Sequence, residues 1–294
     1  MLGYITIIQW TYTLPSLIFY YYFTILLTYE ICIKKNHEYN NGFYPLILLK
    51  SYADIITITN SFLTLRLPRH SIFSNFYLNN QYLASVQYFE TGLTNTIMYI
   101  ISFLISFNRF IAIKYPLRYS FWFSSKIVKI YILLSILFGF VIGYLIITFK
   151  PYYKWNDYIG VYYISFKDKY IGIFTVFYTL FFFLPIAITA TIMNLISAYE
   201  LSKYRKSISI ETKKELYLFF YTVINFIAFL IFFLYFSFRS CHIIFNIPIL
   251  QKIALISAPW IIDIETFGLF YSLLIIWYVL YIFINFLLVR HYGI

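Results

Sequence analysis

The chain is poor in charge and in cysteine, and it carries no glycosylation signal. Charged residues make up 11% of the 294 residues and hydrophobic ones 62%. A soluble domain carries about a quarter charged residues, so an ordinary soluble enzyme or scaffold is excluded. No Asn-x-Ser/Thr occurs, and N-glycosylation is not expected. Residues 1–33 contain neither Lys nor Arg, which removes the basic start of a cleaved signal peptide. The two cysteines, Cys32 and Cys241, fall on opposite sides of the membrane in the topology derived below. That separation excludes a bridge or a shared metal between them. The four histidines, His37, His70, His242 and His291, lie in loops or tail on both sides, so no convergent catalytic set forms and no cofactor or metal is implied.

What is present is a series of long apolar runs. A membrane-spanning helix needs roughly 20 mostly apolar residues. Seven segments meet that, at about 13–33, 44–65, 82–106, 127–149, 171–193, 216–238 and 262–288. They are continuous rather than alternating with period two, so they predict helices and not barrel strands. A helix also satisfies its own backbone groups in hydrocarbon. The expectation is an all-α membrane protein, a seven-transmembrane helix bundle forming a single domain over 1–294.

Charge sets the orientation. The first basic pair, Lys34 and Lys35, directly follows span one and holds that end inside. By alternation, thirteen Lys and Arg fall on the inner side and eight on the outer side, with Lys50 inside span two. The N-terminus is expected outside and the C-terminus in the cytoplasm. Outer loops are expected at 66–81, 150–170 and 239–261, and inner ones at 34–43, 107–126 and 194–215. Only Val289–Ile294 would follow span seven, too short for an amphipathic helix. The net charge of +11 lies beside membrane and suits anionic headgroups of the lipid bilayer rather than nucleic acid. The 34 Phe and 33 Tyr are no ligand cage on composition alone, and Tyr suits the membrane interfaces.

The segment Asn108–Trp122, NRFIAIKYPLRYSFW, runs from apolar helix into a basic, Pro-broken loop. A lone Arg109 there would read as a side chain snorkelling to headgroups. Pro116 ends the helix, because it lacks an N–H. Leu117 is then an apolar side chain between Lys114 and Arg118, suited to docking a protein partner. Tyr119 and Trp122 would anchor the loop.

Within the spans, Lys50 and Asp54 stand one turn apart, and a local i,i+4 pair would neutralise both. Intramembrane charge is costly and calls for a role. Glu90 lies about two turns below the outer end of span three, with Asp263 and Glu265 near the outer end of span seven. Together they could form an acidic wall for a cationic or hydroxyl-rich ligand; for Asp263 and Glu265, solvated interfacial charge is the alternative. Outer Arg66, Arg69, Arg239 and His242 could pair with these acids or attract an anionic ligand. Gly139 and Gly143 form a GxxxG in span four, which suits packing inside the bundle or, as a minority reading, a dimer. Pro185 is expected to kink span five.

The segment after span three resembles the same junction in rhodopsin-like G-protein-coupled receptors. Arg109, Ala112, Ile113, Pro116, Leu117 and Tyr119 match, while Asn108 replaces the family's acid and Phe110 its tyrosine. The resemblance implies that Arg109 is the switch group and that Leu117 inserts into the G protein. The run SYADIIT resembles the family's sodium-binding Asp pattern at Asp54. Span seven has Asn285 but no following Pro, and no cysteine ties span three to the second outer loop.

The chain also resembles the nematode serpentine chemoreceptors, especially class gamma, Srg. The matching elements are the Asn108-Arg109 pair with Pro116, Tyr119 and Trp122, then Pro15-Ser16-Leu17, Phe43-Tyr44, Arg66-Leu67-Pro68 and Asp263. This implies detection of an external small molecule, such as an odorant, tastant or pheromone-like cue, with signalling through a heterotrimeric G protein. It also implies a multi-pass plasma-membrane location in sensory neuron cilia. The alternative is a transporter or channel for a small solute, which should show inverted repeats with paired interrupted helices; the sequence has no internal similarity of that kind.

Overall fold

The computed structural model describes residues 2–36, 39, 42–69, 72–156, 161–203, 210–245, 247–268, 270, 271 and 274. Six of its helical stretches are long and apolar enough to cross a membrane: Gln9–Ile33, Tyr44–Arg69, Tyr82–Lys114, Ser125–Ile147, Ile171–Lys203 and Phe219–Phe245. These are spans one to six. The described part of span seven runs through helix Pro248–Asp263 and a wider π turn, Ile264–Gly268. Most of the expected span at 262–288 lies outside the described residues, as do His37, His70, Asn285, Arg290, His291 and the tail Val289–Ile294.

Span three is the centre of the bundle. It packs against spans two, four, five and six, and contributes Ile97, Met98, Ile101, Leu104 and Ile105 to the largest apolar cluster. Spans one, four and five turn apolar side chains outward, among them Ile18, Phe19 and Tyr22, Leu133, Leu134 and Tyr144, and Phe177, Phe181 and Leu195. Polar side chains such as Asp54, Asn108, Asn225 and Thr266 are buried instead. An apolar exterior over a polar interior is the inverse of a water-soluble protein and fits lipid as the outer solvent.

The GxxxG of span four is used within the bundle. A Cβ on Gly139 would stand 2.7 Å from the Leu93 carbonyl oxygen, and one on Gly143 2.6 Å from that of Phe89. Gly92 of span three meets Gly143 in the same way, 2.9 Å from its Cα. The backbones of spans three and four therefore approach as closely as small residues allow. Span three occupies that stripe, as packing inside the bundle requires.

Several expected boundaries move. Span three continues as helix to Lys114, so Asn108 and Arg109 are helical residues and not part of the loop. The expected outer loop 150–170 contains a β-hairpin, β1 Pro151–Asn156 paired antiparallel with β2 Val161–Phe166. Its aromatic and β-branched side chains favour strand, a local signal that a search for apolar runs passes over. The hairpin is pinned to the bundle: Gln81 Oε1 accepts the Tyr153 N–H at 2.7 Å, and the Tyr153 hydroxyl donates to the Thr64 carbonyl at 2.8 Å. Burial pushes the Tyr153 phenol above the usual tyrosine range, so it stays a donor. The expected loop 239–261 is largely helical, with span six reaching Phe245 and the next helix starting at Pro248. In span five the π turn Thr179–Phe183 stands immediately ahead of Pro185, where the missing N–H disturbs the helical ladder.

Candidate functional site

The early start of span seven changes where its acids lie. Asp263 and Glu265 stand about four turns into a helix that begins at Pro248, not at its outer mouth. Both are buried and both meet cations from span two. Arg66 Nη2 donates to Asp263 Oδ1 at 2.5 Å, and the Tyr12 hydroxyl donates to Asp263 Oδ2 at 2.5 Å. Arg66 Nη1 also donates to Thr13 Oγ1 at 3.3 Å. Spans one, two and seven thus meet around one carboxylate.

A second cluster forms around Lys50. Its Nζ donates to Asp54 Oδ1 at 3.0 Å and to Glu265 Oε1 at 3.3 Å. The Tyr20 hydroxyl donates to Asp54 Oδ2 at 2.6 Å. The local Lys50–Asp54 pair expected from spacing is present, but it is one part of a three-helix junction. Glu265 Oε2 is buried and accepts no hydrogen bond among the described residues. Two cations, Lys50 and Arg66, here face three buried carboxylates, Asp54, Asp263 and Glu265. Buried charges stay in place only when paired and hydrogen-bonded, so these contacts fix how span seven sits against span two.

Glu90 is placed apart from them. It is half-buried in span three, and among the described residues no hydrogen bond or ion pair joins its carboxylate to Asp263, Glu265 or any other side chain. Of the three acids expected to share a ligand wall, Asp263 and Glu265 are engaged by the span-two cations. Arg239 lies near the Tyr88 and Tyr235 hydroxyls. His242 Nδ1 lies 2.9 Å from the Ile247 carbonyl at the end of span six.

At the other end of span three, Arg109 is only 3% exposed. Snorkelling is replaced by burial. Its Nη2 donates to Asn108 Oδ1 at 2.9 Å, and its guanidinium lies 4.3 Å from the centre of the Phe43 ring. Asn108 Nδ2 in turn donates to the Tyr119 hydroxyl at 3.0 Å. The asparagine thus serves as acceptor for Arg109 and as donor to the following loop, which an ionised acid cannot do. Pro116–Arg118 form a single 3-10 turn, and Leu117 is 96% exposed on it. Trp122 packs edge-on against Phe107, with centroids 5.5 Å apart.

Two features escaped sequence reasoning. Tyr99 stacks on Phe183 with ring centroids 3.6 Å apart, with Phe229 and Phe232 against it, so rings fill the space between spans three, five and six. Beside them Asn225 is fully buried, and neither amide atom has a hydrogen-bond partner among the described residues. A lone Asn in a Phe-rich helix was the only signal available.

A membrane bundle with charged helix junctions inside and a buried arginine next to an exposed Pro-Leu turn has the arrangement of a seven-helix receptor. Residues 9–255 match the family model described as serpentine type 7TM GPCR chemoreceptor Srv, and the chain belongs to that family. It is a chemosensory G-protein-coupled receptor, and the family is one of receptors rather than enzymes. The class is Srv and not the gamma class, Srg, which the short motifs resemble. Those motifs are two or three residues long, and Phe43 and Arg66 serve here in stacking and pairing. No curated protein matches the chain.

Proposed function

We propose that the chain is a plasma-membrane receptor with its N-terminus outside, which binds an external small molecule and signals to a heterotrimeric G protein through Asn108, Arg109, Pro116 and Leu117. The observation that carries the coupling role is Leu117. A leucine side chain 96% exposed on a one-turn Pro-Leu-Arg step, close to a buried arginine, has no intramolecular packing role. Exposed apolar side chains with a polar rim suit a protein partner. Among the described residues Arg109 meets the Asn108 amide oxygen and the Phe43 ring face. Glu90, half-buried with no side-chain partner among the described residues, is the acid available to a ligand, while Asp263 and Glu265 act through their pairing with span two. A sensory ciliary location follows from the family resemblance.

The test is a G-protein reporter in cells expressing the receptor, screened with small-molecule extracts. Leu117→Asp and Arg109→Ala should lose the response while surface expression is retained. Responses unchanged in both variants would overturn the coupling role. Ligand-dependent current or uptake without a G protein would favour a channel or transporter.

A further inference from the structure

The base of the β-hairpin carries three lysines without acidic partners. Pro151 pairs with Phe166, so Lys150 and Lys167 stand opposite one another just beyond the strand ends, joined by the Lys167 N–H to Lys150 carbonyl bond at 3.2 Å. Lys150 adopts a left-handed backbone with φ 54°, which disfavours any residue but glycine, and that bond helps to hold it there. Like charges set opposite one another destabilise a strand pair. Lys169 adds a third charge nearby. Among the described residues none of the three ammonium groups has an ion-pair partner. The adjacent Asp168 is turned to local use, with its Oδ1 accepting the Tyr170 N–H at 2.9 Å at the start of span five.

The lysines line open space. A shallow, open surface depression is bounded by Lys150, Lys167, Asp168, Lys169 and Tyr170. A neighbouring one shares Lys150 and Lys167 and is walled by Tyr82, Ile147, Pro151 and Tyr152. One side therefore offers cations, and the other offers aliphatic and aromatic surface. Of the other outer residues considered for an anion, Arg66 is already committed to Asp263.

We propose that this lysine-lined surface binds a small amphiphilic acid, with its carboxylate, sulfate or phosphate head on Lys150, Lys167 and Lys169 and its apolar part along Ile147, Pro151 and the tyrosine rings. The proposal adds an anion site at the hairpin, separate from Glu90, and it rests on the receptor reading only for facing outward. An anion among the ammonium groups removes their mutual repulsion and forms charge-assisted hydrogen bonds. A soluble organic acid and an anionic lipid headgroup share this chemistry.

The test is lysine acetylation of the full chain in nanodiscs, read residue by residue by mass spectrometry, with hexanoate as probe and hexanol as its neutral counterpart. At ten times its Kd, hexanoate should slow labelling of Lys150, Lys167 and Lys169 about tenfold and leave Lys129 unchanged. Protection by hexanoate in phosphatidylcholine discs assigns the site to a soluble acid. Protection without probe, appearing only when phosphatidylglycerol is included, assigns it to a lipid headgroup. In K150Q/K167Q protection at Lys169 should be lost, and in K150R/K167R it should persist. Equal protection by hexanol, or none from either anion source, overturns the proposal. Orientation is read separately, with a membrane-impermeant acylating reagent on intact cells. Lysines unlabelled there but protected in nanodiscs would sink the outward-facing reading and leave the anion site standing.

Discussion

Lys50 of span two reaches Glu265 of span seven across 3.3 Å in the buried interior, while also holding Asp54 one turn away on its own helix. One ammonium thus serves two carboxylates from different helices. Its removal and the removal of either acid are unequal acts. Glu265→Gln or Asp54→Asn leaves Lys50 one carboxylate, whereas Lys50→Met leaves two buried carboxylates without a cation. Lys50→Met should cost about 3–5 kcal/mol, the range for breaking a buried pair, and the triple variant K50M/D54N/E265Q should recover much of that loss. Thermal unfolding in detergent measures both. A triple variant no more stable than Lys50→Met would contradict the pairing.

The Arg66–Asp263 contact makes a second interhelical tie, shared with Tyr12. A double-mutant cycle with Arg66→Met and Asp263→Asn should give a coupling energy of about 0.5–3 kcal/mol, as residues in one network do. Additive effects would show that the two side chains do not meet.

Gly143 faces the Phe89 carbonyl, where an added Cβ would stand at 2.6 Å. Gly143→Val should destabilise by about 1–3 kcal/mol, the usual cost of overpacking. Leu134→Val, on the exposed face of the same helix, should be near neutral. The comparison is made by thermal unfolding.

Asn225 buries an amide with no described partner. Replacing it with Leu removes an unsatisfied polar group, and stability should rise by about 1 kcal/mol. A loss of stability would show that the amide has a partner in the folded receptor.

At the Arg109 end, Asn108→Asp places a carboxylate against the guanidinium in place of an amide oxygen. The Arg109 bond already has a charged donor, and an ionised acceptor adds attraction between two full charges to it. A firmer hold on Arg109 should lower basal reporter activity and raise the ligand concentration needed for response. Glu90→Gln is expected to shift ligand potency on the order of tenfold, the equivalent of one 1.4 kcal/mol contact, with surface expression intact. An unchanged dose–response would remove Glu90 from the ligand site.

The solvent of this protein was legible in its sequence. Apolar runs near 20 residues and low charge demand helices in lipid, because unpaired backbone groups in hydrocarbon are prohibitively costly. The turn that exposes Leu117 followed from Pro116, a local effect. What only the tertiary structure decided was partnership. Hydropathy carries neither the face nor the depth of a charged residue, and a helix start misplaced from Pro248 to 262 set Asp263 and Glu265 at the membrane surface rather than about four turns into their helix. Once they are deep, the cost of burying charge leaves few arrangements, and Lys50 and Arg66 from span two supply the cations. Gly139 and Gly143 follow the same rule: small residues announce a close approach, and packing against Phe89 and Leu93 decides that the neighbour is span three.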